Sequence, residues 1–225
     1  MAAVLAYAAP MEPTEGNLRA WEEAHRPRGE EGAQGAGLPE QVRRSLARIA
    51  GKRVLHIQCG TGEASLELAE LGAVVTGVDP SDEALEHARE RGPSIVWVHA
   101  EPGALPAELR RGRFDLVFAD RGVLAWVADL AAFAAGASAA LKPGADLLLF
   151  EEHPAALCVD AMMHWRDNYF AEDVRLWRLG QVVTALARAG LVVRALEEYP
   201  ARTTGLRRQD SRLPGEFLLH AVKPA

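Results

Sequence analysis

Residues 54–62, VLHIQCGTG, carry an apolar run into a turn with two glycines, Gly60 and Gly62. A second apolar run, VVTGVD, ends in Asp79, seventeen residues past Gly62. A glycine lets the backbone approach a ligand that a Cβ would push away. A helix starting at Thr61–Gly62 would leave its first backbone N–H groups unpaired. A carboxylate at the end of a neighbouring strand can accept hydrogen bonds from a ribose diol. If the two runs are parallel strands, turn and acid meet beyond the carboxyl ends of the sheet, where such folds bind ligands. The pair then suits a nucleoside. Taken singly, the glycines also fit a tight strand-to-helix turn, and Asp79 fits a turn with Pro80. The dinucleotide pattern G-x-G-x-x-G is incomplete, because Ser65 stands at its third glycine. A further polar group follows the apolar run Leu147–Phe150, in the order Glu151, Glu152, His153, Pro154. His153 can take a proton from a substrate there, with Glu152 orienting it, or it can serve only the turn that Pro154 directs.

These residues need a scaffold that brings strand ends together, and the chain predicts one. From Lys52 on, strand and helix patterns alternate. Strands are expected at 53–57, 74–78, 95–99, 114–119 and 146–150. Helices are expected at 61–71, 81–91 and 129–141, the second capped by Ser81 and stopped by Gly92-Pro93. Alternation of this kind gives a parallel sheet covered by helices on both faces. A helix over about 174–189 follows. Two runs, LVVRALEEYP and EFLLHAVKP, then come with no helix between them, which predicts an antiparallel pair at a sheet edge. Upstream, a helix over 14–25 is followed by the Gly-rich, charged stretch 26–37 and a second helix opening at Pro39 and closing at Gly51. The stretch 154–173 fits neither period and reads as a cover.

The chain has 225 residues, 49% hydrophobic, which suits one α/β domain with a modest appendage. A net charge of −6 argues against a protein that grips nucleic acid through phosphates. Cys59 and Cys158 stand far apart, outside any metal-ligand spacing, so a reducing cytoplasm is the expected location and no metal is expected. The apolar start MAAVLAYAAP lacks a basic flank and is too short to span a membrane.

VLHIQCGTG resembles the first motif of class I S-adenosylmethionine-dependent methyltransferases, commonly VLDLGCGTG. Further matches follow in order: Asp79; HAEPGALP at 99–106; FDLVFADRGVLAW at 114–126; LKPGADLLLFEEHP at 141–154. His56 stands where an acid is most common, and Gln58 where a glycine is common. An H-L-Q-C stretch with an E-x-H-P-like fifth-strand end is similar to that of a small-molecule branch of the family. The resemblance implies a Rossmann-like, doubly wound α/β fold. Its mostly parallel, seven-stranded sheet would end in an antiparallel pair; the resemblance covers roughly residues 39–223, and residues 1–37 are expected, from their own pattern, to form an N-terminal helical cover and linker. The domain would run over 38–225, with a lid at about 154–173.

The resemblance also implies S-adenosylmethionine as cofactor. His56, Gln58, Gly60 and Gly62 would lie around its methionine part and Asp79 on its ribose. Pro80, Ala100 and Glu101 would sit at its adenine, and Asp120 near the end of the fourth strand. His56 could instead be a core histidine, Gln58 could only fix the turn, and Asp120 could touch substrate or form a turn with Gly122. The substrate would be a small molecule, entering between the sheet and two covers. One cover carries Asn17, Trp21 and His25, and the other His164, Trp165, Asp167 and Tyr169. No nucleic-acid or membrane partner is implied. The same scaffold would also serve a cofactor-binding protein with other chemistry or with none.

Overall fold

The computed structural model describes residues 37–46, 48–160, 163–170, 176–201 and 211–225. The expected helix over 14–25, most of the linker, and parts of the 154–173 stretch lie outside these residues.

The elements in chain order are α1 (Glu40–Ser45), β1 (Arg53–Ile57), α2 (Glu63–Glu70), β2 (Val74–Asp79), α3 (Asp82–Arg91), β3 (Val96–His99) and β4 (Phe114–Asp120). They continue with α4 (Val123–Trp126), α5 (Leu130–Ala140), β5 (Leu141–Glu152), α6 (Pro154–Leu157), α7 (Leu179–Arg188), β6 (Val192–Pro200) and β7 (Pro214–Val222). One seven-stranded sheet runs in the order β3-β2-β1-β4-β5-β7-β6. Its first five strands are parallel, while β7 is antiparallel to both β5 and β6. The alternation and the edge pair are as the sequence predicts. The order reverses between β1 and β4, so the carboxyl ends of β1, β2 and β4 border one crevice.

Two cores pack on the two faces. Leu55, Ile57, Val117, Leu147 and Leu149 point toward α5 and α7, with Phe133 and Leu186 among their partners. Val54, Leu116, Phe118, Leu148 and Phe150 point to the other face, with Val42 and Leu68. This period-two division fixes which polar residues at the strand ends can meet. His56 and Asp120 follow the second face, whereas Glu151 follows the first.

Three boundaries differ from the sequence reading. The helix expected from Pro39 to Gly51 ends at Ser45, although Leu46 and Ile49 remain buried without it. The helix expected from about residue 174 begins at Leu179, where the Gln181 side chain accepts from the Arg178 backbone N–H at 2.9 Å. β5 begins at Leu141, because Phe114 pairs with Leu141 before a register shift brings Leu116 opposite Asp146. Pro143-Gly144 is thus accommodated in an irregularity of the strand.

Candidate functional site at the carboxyl edge of the sheet

After Ile57 the chain leaves β1 with Gln58 at φ 60, Gly60 at φ 54 and Gly62 at φ 89. These left-handed residues fold the turn back so that Gly60 N donates to Asp79 Oδ2 at 2.8 Å, joining the end of β1 to the end of β2. Ser81 N donates to Asp79 Oδ1 at 2.9 Å. The Asp79 carboxyl is buried, and burial pushes its pKa up against the two backbone donors that pull it down. Each of its oxygens retains a lone-pair direction for a further donor.

The two glycines do different work. A Cβ on Gly60 would meet nothing within 4 Å, so open space lies in front of it. A Cβ on Gly62 would stand 2.7 Å from the ring of Trp97, and one on Gly77 2.5 Å from the same ring. Trp97 of β3 therefore backs the turn, held by its indole N–H donating to Gly92 O at 2.9 Å. It is a supporting residue that the sequence reading passed over.

His56 is 1% exposed, and both ring nitrogens are engaged inside the protein. Nε2 lies 3.0 Å from Asp120 Oδ1, and Nδ1 lies 2.7 Å from Ser65 Oγ. A carboxylate only accepts, so Nε2–H donates to Asp120, while Nδ1 meets the Ser65 hydroxyl. Arg121 Nε donates to Asp120 Oδ2 at 3.1 Å, and Arg121 Nη2 donates to Gly37 O at 2.8 Å. Burial raises the Asp120 pKa, but His56 and Arg121 outweigh it and hold the carboxyl below the usual range. The histidine thus ties β1, β4 and the first turn of α2 together, and its Ser65 partner explains why a hydroxyl follows the glycine turn.

At the ends of β2 and β3, Ala100 N donates to Asp79 O at 3.1 Å, and His99 Nε2 lies 2.7 Å from Pro80 O. Glu101 is exposed just beyond. Asp79, Pro80, Ala100 and Glu101 are therefore gathered at the end of β2 and β3.

The fifth-strand group divides by face. Glu151 is buried, accepting from Gly122 N at 2.8 Å and from Leu124 N at 3.1 Å. Burial raises its pKa to about 7 despite these donors, with the charges of Asp120 and Glu152 adding to the rise. It anchors the loop that leaves β4. Glu152 is exposed on the opposite face. His153 is oriented by Glu198 of β6, whose Oε1 lies 2.9 Å from Nε2, so the expectation that Glu152 orients it is corrected. The register of β5, β7 and β6 brings Glu198 across. His153 Nδ1 accepts from Ala155 N at 3.1 Å and caps α6, and burial lowers its pKa against the Glu198 charge. In the following stretch Trp165 is 63% and Phe170 70% exposed, while Trp177 donates to Val127 O at 2.7 Å.

Residues 54–144 match the family model described as a methyltransferase domain. A ubiquinone biosynthesis O-methyltransferase of Methylobacterium sp. is 43% identical over 101 residues, covering 43% of this chain and 39% of that protein. An uncharacterized methyltransferase of Synechocystis sp. is 34% identical over 110 residues, covering 48% of this chain and 51% of its own. The chain spans about two fifths to half the length of these curated relatives. An S-adenosylmethionine-dependent methyltransferase from Mesorhizobium loti superposes with a TM-score of 0.68 at 25% identity, over 81% of this chain and 95% of that one. The matched stretch runs from β1 into β5 and holds the glycine turn, Asp79 and Asp120. Residues 54–144 carry a methyltransferase domain, and motif, matched domain and fold all resemble those of class I S-adenosylmethionine-dependent methyltransferases.

Proposed function

We propose that the protein transfers the methyl group of S-adenosylmethionine to a small-molecule acceptor in the cytoplasm. The observation that carries this reading is the bond between Gly60 N and the Asp79 carboxylate, with open space in front of Gly60. It leaves a buried carboxylate with spare acceptor capacity beside a backbone that a ligand can approach closely.

The residues fit the cofactor. Asp79 would hold the ribose diol, with Pro80, Ala100 and Glu101 at the adenine. Gly60 and Gly62 keep the turn clear of side chains, and Asp120, steadied by His56, stands farther along toward β4. When bound, the cofactor supplies an activated methyl on a sulfonium. The chain's own contribution is to hold donor and acceptor in line and keep water out. A side-chain base is needed only for an acceptor that must lose a proton. Both nitrogens of His153 are engaged with Glu198 and Ala155, which favours positioning over proton abstraction by that residue.

An oxygen acceptor is the first class to test, because several relatives are named as ubiquinone biosynthesis O-methyltransferases. The net charge of −6 supports a small molecule over a nucleic acid. Two free, buried cysteines suit the reducing cytoplasm. Calorimetry with S-adenosylmethionine and its demethylated product tests the reading directly. Asp79→Asn should weaken binding by roughly 1.5–3 kcal/mol, the range for a hydrogen bond to a charged group. Unchanged affinity in a folded variant removes the ribose assignment, and failure of the wild type to bind removes the function.

A further inference from the structure

The sheet has a second concave region, at the end opposite the glycine turn. A cavity of about 290 Å³ lies between the stretch that follows α1 and the second face of the sheet. Leu46 and Ile49 wall it on one side, and Leu116 of β4 and Leu148 of β5 on the other; all four are buried. Lys52 borders it just before β1 begins, whereas the glycine turn starts where β1 ends. β1 is five residues long, so on the order of 15 Å of strand separates the cavity from the cofactor cleft.

The charges around this cavity set it apart. Neighbouring cations are paired: Arg43 with Glu67, Arg44 with Glu40, and Lys142 with Asp115. Arg48 and Lys52, which border the cavity, make no ion pair and no side-chain hydrogen bond among the described residues. Lys52 feels the charge of Asp115, but Lys142 already answers that charge at 2.6 Å. Asp146 is the only acid among the described lining residues. It is held by His220, with Oδ1 2.8 Å from Nε2, so its own charge is answered too. Two cations thus stand beside a leucine-lined wall in a chain whose net charge is −6. Apolar walls with a few placed polar groups are the form that small-ligand sites take. A guanidinium and an ammonium would hold a carboxylate, the first through paired N–H donors. The leucines would cover an apolar body. We propose that this cavity is a second binding site, taking a small carboxylate with an apolar body such as a single aromatic ring. The inference stands apart from the cofactor reading, because no residue is shared between the two sites.

The test titrates phenylacetate into the full chain and follows backbone amides by two-dimensional NMR. Two controls separate the contributions: phenylacetamide has the same shape without the charge, and acetate has the charge without the ring. Phenylacetate should saturate with a dissociation constant of about 1 mM, as suits so small a ligand, and shift the amides of residues 48–52 and His220. Each control should bind at least about tenfold more weakly. Arg48→Gln and Lys52→Gln keep the side-chain stem and lie outside the cofactor cleft. Each should weaken phenylacetate at least about tenfold, the loss of one charge-assisted hydrogen bond. The shifts at these amides should persist when S-adenosylhomocysteine is in excess. Absence of saturation by about 20 mM phenylacetate overturns the inference. So does equal binding of phenylacetamide, or undiminished binding in both variants. Loss of the shifts on adding S-adenosylhomocysteine also overturns it, because the anion would then lie in the cofactor cleft. A protein that binds phenylacetate in this way but not S-adenosylhomocysteine keeps this inference and loses the cofactor reading.

Discussion

Glu151 sits at the carboxyl end of β5, holding Gly122 and Leu124 by their backbone N–H groups. Burial lifts its pKa from the ordinary 4.5 to about 7. The folded state therefore keeps this proton at pH values where the unfolded chain has lost it. Between about pH 4.5 and 7 the unfolded state binds fewer protons, so this group makes stability fall as pH rises, and the loss levels off above pH 7. The shift corresponds to on the order of 3 kcal/mol. Glu151→Gln, which cannot ionise, should gain on wild type in urea-unfolding stability as pH rises through this window. A stability difference that stays flat from pH 4.5 to 8 would mean that Glu151 is ionised in the fold throughout. Nothing in the order Glu151, Glu152, His153 distinguishes the first glutamate from the second. Alternation along β5 does, sending Glu151 under the loop after β4 and Glu152 outward. The partners Ser65 of His56 and Glu198 of His153 were likewise hidden, since they depend on helix placement and on the register of three strands. Asp79, by contrast, was legible because its position at a strand end follows from the apolar run that precedes it.

The turn between β1 and α2 shows how one element serves two ends. At Gly60 a Cβ would enter open space, so an alanine there meets only the backbone strain of a left-handed residue, about 1–2 kcal/mol. At Gly62 the same strain combines with a Cβ placed 2.7 Å from Trp97 and 3.2 Å from the Cβ of Ala88. Overpacking against two fixed neighbours typically adds about 1–3 kcal/mol. Gly62→Ala should therefore be clearly less stable than Gly60→Ala in denaturant melts. Gly60→Ala should lose more cofactor affinity than its stability change implies. Equal stability losses would show that Trp97 yields readily, and full affinity in Gly60→Ala would place the ligand elsewhere. The sequence disclosed this turn and most long elements through their periods and caps. Ser81 caps α3 by accepting from Ala84 N at 3.2 Å, and Asp129 caps α5 by accepting from two backbone N–H groups at 2.9 Å. The four-residue helices α4 and α6 were not legible, because a single turn is too short to display a 3.6-residue period.

At the scale of the whole molecule, the parallel sheet gives the protein two unlike ends. The carboxyl end carries the glycine turn, Asp79, Asp120 and the loop held by Glu151. The first described residue, Gly37, is fastened to that same end: its carbonyl accepts from Arg121, and the next backbone N–H, of Leu38, donates to Glu67 Oε2 at 2.7 Å. Glu67 in turn pairs with Arg43 of α1 at 2.5 Å. Gly37 is thus held beside the cleft, and the proposal that the residues before it serve the site rests on that position. Among the described residues both apolar clusters are complete across the two sheet faces from Leu38 onward, so removing residues 1–36 is expected to leave the melting temperature within a few degrees of the full chain. The same truncation should weaken cofactor or acceptor binding, read by calorimetry for the first and by the acceptor KM for the second. The contrast is diagnostic. A truncated protein that melts as before and binds and turns over as before would make these residues irrelevant to the site. One that no longer folds would make them part of the core, and Arg121→Ala, which frees Gly37 without shortening the chain, would then separate docking from folding through its effect on the same two affinities.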